Sequence, residues 1–139
     1  MNVLFDADVI LDVLLDRDPY EAHAYKLLTL VEKGHVTGWL VSGTMNTLHF
    51  LMSKEVEPKW VKRHLLEVLD IFQIIPITSH IMEMAIKSSF KDYEDAVLNQ
   101  AALEQKVDYI VTRNKTVFKD SKVPVYHPEE FLNILESLH

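Results

Sequence analysis

The sequence contains no cysteine, which excludes disulfide bonds, zinc–thiolate sites and thiol catalysis. Only three glycines and five prolines occur among 139 residues, which leaves little room for long loops or flexible linkers. No apolar run approaches the roughly 20 residues needed to span a bilayer, and the opening MNVLFDAD lacks the basic segment of a signal peptide. These absences predict a cytoplasmic protein that forms a single domain over residues 1–139 and has no membrane partner.

The net charge of −7 argues against broad, non-specific adhesion to nucleic acid. It does not exclude an enzyme that acts on nucleic acid, because carboxylates that hold a cation repel phosphate less once the metal is bound. One basic cluster is present, at Lys59, Lys62, Arg63 and His64. Charge patterning alone favours a solvated helix face for this cluster.

Short apolar runs alternate along the chain with segments whose apolar residues recur at helical spacing. This alternation is typical of a parallel sheet with helices on both faces. We therefore predict an α/β fold with a mainly parallel sheet. The predicted strands cover residues 2–5, 36–41, 72–76, 108–112 and 123–126.

Capping residues predict where several helices begin and end. Asp18 followed by Pro19 predicts a helix that begins at Pro19, and Gly34 predicts its end. A further helix is predicted over residues 92–105, and Pro128 predicts the start of a C-terminal helix.

Acidic side chains follow the first predicted strand directly. Asp6 stands at the end of that strand, and Asp8 and Asp12 come shortly after it. Ligands of open parallel sheets bind outside the carboxyl ends of the strands, where Asp6 is expected. The alternative is that Asp6 caps the first helix and that the other two aspartates are solvated.

A second acidic group opens the helix predicted over residues 92–105. Asp92 and Asp95 are three residues apart and share one helix face, whereas Glu94 is expected to point about a quarter-turn away. Acidic residues also suit the positive end of a helix dipole, so a purely capping role is the alternative.

Polar residues follow a later strand in the same way, at Thr112, Arg113 and Asn114. Several strand ends of one predicted sheet therefore carry polar groups. Carboxylates buried close together need a cation to neutralise them, and oxygen ligands without cysteine suit Mg²⁺ or Mn²⁺. Such a metal promotes hydrolysis of a phosphodiester.

Three segments resemble the PIN domain family, in the right order and spacing over essentially the whole chain. They are FDADVILDVLL (5–15), DYEDAVLNQAALEQKVDYIVTRN (92–114) and VYHPEEFL (125–132). The family comprises metal-dependent ribonucleases, many of them VapC-like toxins of bacterial toxin–antitoxin pairs. The resemblance implies a PIN-like three-layer α/β/α fold with about five parallel strands and a Mg²⁺ or Mn²⁺ pocket at the strand ends. It also implies an RNA substrate, with an antitoxin protein and a second copy of the chain as candidate partners.

The family's acidic positions are only partly retained. Asp6 matches the first family aspartate and Asp95 the aspartate of the long helix, with Asp92 an additional acid before it. Thr47 stands where the family has glutamate, and Asn114 stands at its last acidic position. Two of the usual four acids are therefore kept, and fewer anionic ligands predict weaker metal binding.

These matches predict a metal-dependent endoribonuclease. Asp6, Asp92 and Asp95 are predicted to be metal ligands, and Asn114 joins them as a catalytic residue that orders water or substrate.

Thr112, Arg113 and Thr47 are the predicted substrate-binding residues, and the guanidinium of Arg113 is a candidate phosphate contact. Two alternatives stay open. The missing acids favour a catalytically degenerate PIN-fold module that binds RNA or a protein. A phosphatase or small-molecule hydrolase is also compatible, because the metal pocket does not dictate the phosphoester.

Overall fold

The computed structural model describes residues 1–138, in which five strands form one sheet with the order β3-β2-β1-β4-β5. All neighbouring strands pair in parallel. The predicted fold class is confirmed, with strand ends that differ by one or two residues from those expected. The strands are β1 (Asn2–Phe5), β2 (Thr37–Val41), β3 (Gln73–Ile75), β4 (Tyr109–Val111) and β5 (Val125–Tyr126).

Seven α-helices occupy the described residues, together with a short 3₁₀ helix at Lys115–Phe118. The long helix predicted over 92–105 and the C-terminal helix that begins at Pro128 are both confirmed. The helices are α1 (Ala7–Leu14), α2 (Glu21–Glu32), α3 (Ser42–Met52), α4 (Pro58–Ile71), α5 (Ser79–Lys87), α6 (Tyr93–Gln105) and α7 (Pro128–Ser137).

The predicted start of α2 at Pro19 is wrong by two residues. The backbone N–H groups of Tyr20 and Glu21 both donate to the carbonyl of Arg17, so a turn precedes the helix. The helix begins at Glu21, and no side chain caps it. Its predicted end is correct, since Gly34 follows with a φ of +80°, a conformation that suits glycine.

Two apolar cores lie on opposite faces of the sheet. Side chains alternate along β1, so Val3 and Phe5 pack with α1, α2, α3, α4 and α7, whereas Leu4 packs with α5 and α6. All three of these β1 side chains are fully buried. Burial on both faces explains why β1 reads as an uninterrupted apolar run. Among residues 1–138, no helix is both long and apolar enough to cross a membrane.

The strand order places a crevice at the end of β1. The chain builds β2 and β3 on one side of β1, then returns to the other side for β4 and β5. Connections therefore diverge at β1, which is where open α/β sheets leave room for a ligand. The residue that follows β1 is Asp6.

Candidate active site

A cleft of about 630 Å³ opens at the carboxyl edge of the sheet. This volume lies within the range of about 300–1,000 Å³ that is usual for small-ligand pockets. The start of α1, the first turns of α3 and α6, and part of α5 contribute to its walls. Its polar lining includes Asp6, Ser42, Thr47, Glu94 and Asp95.

Asp6 caps α1 and faces the cleft at the same time. Its Oδ1 accepts a hydrogen bond from the Ala7 N–H at 2.8 Å, and its Oδ2 accepts one from the Thr112 hydroxyl at 2.9 Å. Burial raises the pKa of Asp6, and the charge of Asp92 adds to this, while the hydrogen bonds from Thr112 and Ala7 oppose it. The capping role considered from the sequence is therefore confirmed, and it leaves each carboxylate oxygen with a free lone pair.

Asp92 and Asp95 occupy the N-terminus of α6 in different roles. Asp92 is the N-cap, and its Oδ1 accepts from the Asp95 N–H at 3.1 Å. Asp95 lines the cleft, where burial raises its pKa to about 6, with contributions from the charges of Asp92, Asp6 and Glu94. Because Asp6 and Asp95 line the same cleft, the first and second acidic groups converge there.

Glu94 also contributes to the lining of the cleft, although it was not expected to share the face of Asp92 and Asp95. Three consecutive residues, Tyr93, Glu94 and Asp95, contribute to the wall, so the cleft meets α6 at its end rather than along one face. Helical periodicity could not reveal this contact, because it separates faces only where a helix is approached from the side.

Thr112 connects the end of β4 to the site. Its side chain is fully buried, and its hydroxyl donates to Asp6 while accepting from the Asn114 N–H at 3.1 Å. The Asn114 Oδ1 accepts from the Thr116 hydroxyl at 3.4 Å. The structure thus connects Asn114 to Asp6 through Thr112, and it makes Thr112 an orienting partner of Asp6.

Arg113 is held by the buried carboxylate of Asp12, for which the sequence predicted no role in the site. Its Nε and Nη2 donate to Asp12 Oδ2 and Oδ1 at 2.7 and 3.1 Å, and its guanidinium lies 3.9 Å from the centroid of the Tyr20 ring. Asp12 has no exposed surface, so the suggestion that it is solvated is wrong. Because Asp12 occupies two donor groups of Arg113, the structure gives Arg113 an anchoring role, and its phosphate contact stays a prediction.

Asp8 contacts the backbone of Arg113, next to this ion pair. Its Oδ2 accepts from the Arg113 N–H at 3.2 Å, whereas its buried Oδ1 has no hydrogen-bond partner among the described residues. Burial raises the pKa of Asp8 to about 7, with the charge of Asp6 as the next cause. Its position after β1 was visible in the sequence, but its burial was not.

The first two turns of α3 supply another part of the cleft wall. The Thr47 hydroxyl donates to the Gly43 carbonyl at 3.4 Å and brings no charge. No side chain caps the N-terminus of α3, and the Ser42 hydroxyl instead accepts from the Ile77 N–H. The positive end of this helix therefore borders a cleft whose wall also carries carboxylates.

Residues 1–138 contain no group of three or more His, Cys, Asp or Glu side chains placed to hold a metal ion. Asp6 and Asp95 nevertheless offer oxygen donors of the kind that Mg²⁺ and Mn²⁺ prefer. Mg²⁺ is commonly held by only one or two carboxylates, with water and substrate phosphates completing its shell. The donor chemistry of the cleft fits an open site of that type.

Residues 2–116 match the PIN domain family. This match covers most of the chain, and the chain belongs to that family. No curated protein matches the sequence significantly.

Solved structures show the same fold at low sequence identity. FitAcB from Neisseria gonorrhoeae is 19% identical with a TM-score of 0.69, over 91% of this chain and 98% of that one. A toxin–antitoxin complex from Klebsiella pneumoniae is 20% identical with a TM-score of 0.68, over 91% and 97% of the two chains. VapC20 from Mycobacterium tuberculosis, described as a toxin that cleaves the sarcin–ricin loop, is 10% identical with a TM-score of 0.64, over 78% and 86%.

Proposed function

We propose that this protein is a metal-dependent endoribonuclease that hydrolyses RNA phosphodiesters. The observation that supports this most directly is the convergence of Asp6 and Asp95 on one cleft, with no cationic side chain among its lining residues. Carboxylates in such a position raise each other's pKa and favour a bound cation. Membership of the PIN domain family makes RNA the favoured phosphoester over a small molecule.

Asp6 and Asp95 would hold Mg²⁺ or Mn²⁺, with Asp92 close enough to add its charge. When bound, such an ion polarises a phosphoryl oxygen and lowers the pKa of a water molecule. Thr112 keeps the Asp6 carboxylate in one orientation through its hydroxyl. The first turn of α3, which no side chain caps, would offer backbone N–H groups to a substrate phosphate in the same cleft.

A role as the toxin of a toxin–antitoxin pair is part of this proposal. Among the proteins with the same fold are a toxin–antitoxin complex from Klebsiella pneumoniae and a toxin described as cleaving the sarcin–ricin loop. An antitoxin protein is accordingly the proposed partner, together with a second copy of the chain.

The test measures cleavage of single-stranded RNA with Mn²⁺ and with Mg²⁺. Wild-type protein is expected to cleave slowly, and faster with Mn²⁺, which binds sparse oxygen sites more tightly. Asp6→Asn and Asp95→Asn should each lower the rate by about 100-fold, a loss of about 2.7 kcal/mol in transition-state stabilisation. Both variants should remain folded, because asparagine also caps helices well at position 6 and nearly preserves the shape of the side chain at position 95. Asp70→Asn, an exposed position on α4, is the matched control.

A non-catalytic binding module is the second candidate, because Thr47 and Asn114 replace two family acids and already bond to neighbours. Calorimetry distinguishes the two. No heat from millimolar Mn²⁺, together with intact RNA, decides for the binding module. If the protein is a nuclease, Thr47→Glu with Asn114→Asp should increase the affinity for Mn²⁺.

A further inference from the structure

Two exposed aromatic side chains flank the turn that joins α3 to α4. Phe50 is 62% exposed and Trp60 is 43% exposed. Each has a cation against its ring, since Lys54 Nζ lies 4.4 Å from the Phe50 centroid and Lys59 Nζ lies 5.2 Å from that of Trp60. Arg63 adds a second cation to Trp60, at 5.6 Å. We call these five residues the Phe50–Trp60 surface.

The charge of this region is opposite to that of the whole protein. Residues 54–63 contain four basic and two acidic side chains, whereas the chain carries a net charge of −7. The two acids, Glu55 and Glu57, lie in the turn, and Arg63 is 3.4 Å from Glu67 in an exposed pair that contributes little. A local positive surface on an acidic protein favours a polyanionic ligand.

The Phe50–Trp60 surface is continuous with the cleft along α3. Asn46 and Thr47 line the cleft, and Phe50 lies three or four residues further, on the same face of the helix. One helical turn rises about 5.4 Å, so a strand that leaves the cleft along α3 meets Phe50 next and then Lys54. Exposed aromatic rings beside cations are the elements with which proteins bind single-stranded nucleic acid.

We propose that the Phe50–Trp60 surface binds the single-stranded RNA that extends from the cleft, by stacking a base on Phe50 and contacting the adjacent phosphate with Lys54. Trp60 provides a second stacking position, with Lys59 and Arg63 as its phosphate contacts. The proposal deepens the ribonuclease function and depends on it for the identity of the ligand. Because Phe50 is mostly exposed, its ring is available for stacking and contributes little to the core.

The test measures binding without cleavage. A fluorescein-labelled single-stranded RNA of about twelve nucleotides is titrated with wild-type protein in EDTA, and its anisotropy gives the Kd. Phe50→Ala is expected to weaken binding about 10-fold, the effect of losing one stacked base. Phe50→Trp should restore it, whereas Phe50→Leu should bind as weakly as Phe50→Ala. Lys54→Gln should weaken binding and reduce the salt dependence by about one phosphate contact.

Ile86→Ala is the matched control, because Ile86 is 72% exposed and apolar but lies on α5. Its Kd should equal that of wild type, and circular dichroism should be unchanged in every variant. The proposal is overturned if wild type fails to bind the RNA, or if Phe50→Ala and Lys54→Gln bind it as tightly as wild type does. It is also overturned if Phe50→Ala instead abolishes self-association in sedimentation, which would make the surface a protein interface. Tight binding without Mn²⁺-dependent cleavage would contradict the nuclease proposal but support RNA binding by the Phe50–Trp60 surface.

Discussion

Helix α1 and the residue before it carry two kinds of buried carboxylate. Asp12 is fully buried and is neutralised by a two-point ion pair with Arg113. Asp6 is partly buried, but its partners are a hydroxyl and a backbone N–H, and its nearest charges include another aspartate. Both are aspartates six positions apart, and the sequence around them does not distinguish their roles.

The comparison shows that the presence of a counter-charge, rather than burial, determines the role of each carboxylate. A carboxylate with a counter-charge anchors the fold, and one without it remains available to a ligand. A carboxylate that already has a guanidinium partner stabilises the fold only as half of that pair. A carboxylate buried without one keeps a free-energy cost that a cation or a proton can relieve. The first kind should therefore respond to mutation through stability, and the second through pH and metal.

The largest effect is expected from the anchor. Asp12→Ala leaves the guanidinium of Arg113 without its partner in a mostly buried position and should lower the free energy of unfolding by about 3–5 kcal/mol. Equilibrium unfolding in urea measures this change in the free energy of unfolding. The double variant Asp12→Leu with Arg113→Met should recover much of the loss, since it removes both charges.

Asp70→Asn provides the control for this comparison, because Asp70 is exposed on α4. It should change stability by less than about 0.5 kcal/mol. An Asp12→Ala variant as stable as Asp70→Asn would mean that the buried ion pair does not anchor α1 to the end of β4.

A pH effect comes next, from the carboxylates that form no ion pair. The pKa values of Asp8 and Asp95 are raised from an ordinary 3.8 to about 7 and about 6. The folded state therefore holds protons that the unfolded state has released. Their contribution to stability is complete below about pH 4 and is lost as the pH rises through 6 and 7.

In the presence of a chelator, the free energy of unfolding should fall between pH 5 and pH 8, by up to about 1.4 kcal/mol per pH unit for each proton that the folded state binds in excess of the unfolded state. Solvent screening makes the contribution of the more exposed Asp95 smaller than that of Asp8. Asp8→Asn keeps the acceptor for the Arg113 N–H but cannot titrate, so the slope should become shallower. An unchanged slope in this variant would show that Asp8 is ionised in the folded protein at neutral pH.

A smaller effect is expected at the hydroxyl that orients Asp6. Thr112→Val keeps the shape of the side chain but removes its bonds to Asp6 and to the Asn114 N–H. The loss should be about 1–2 kcal/mol, and the pKa of Asp6 should rise further, because this hydrogen bond lowers it. Thr37→Val, at an exposed position of β2, is the control, and equal stability of the two variants would exclude an orienting role.

Much of the fold was predictable because its determinants are local. Short apolar runs gave all five strands, and Gly34 and Pro128 gave helix boundaries that the structure confirms. The start of α2 was not predictable from Asp18 and Pro19, because the turn before it depends on backbone hydrogen bonds to Arg17.

The candidate site was predictable only in outline. Asp6 and Asp95 could be selected because they stand at a strand end and a helix start, where chain topology decides their position. The pairing of Asp12 with Arg113 joins residues 101 positions apart, and no local pattern carries that information. The contribution of Glu94 to the cleft was not predictable, because helical periodicity does not describe how a cleft meets the end of a helix.

The position of β1 at the centre of the sheet has a consequence for how the protein is made. Val3 pairs with Tyr109, and Asp6 receives its hydrogen bond from Thr112, 106 residues later. Closing so long a segment of chain is slow, because its entropic cost precedes any stabilising contact. During translation, β1 therefore has one unpaired edge until β4 has emerged from the ribosome. The growing polypeptide is accordingly most exposed to aggregation at this edge, and the cleft is assembled only in the last part of synthesis.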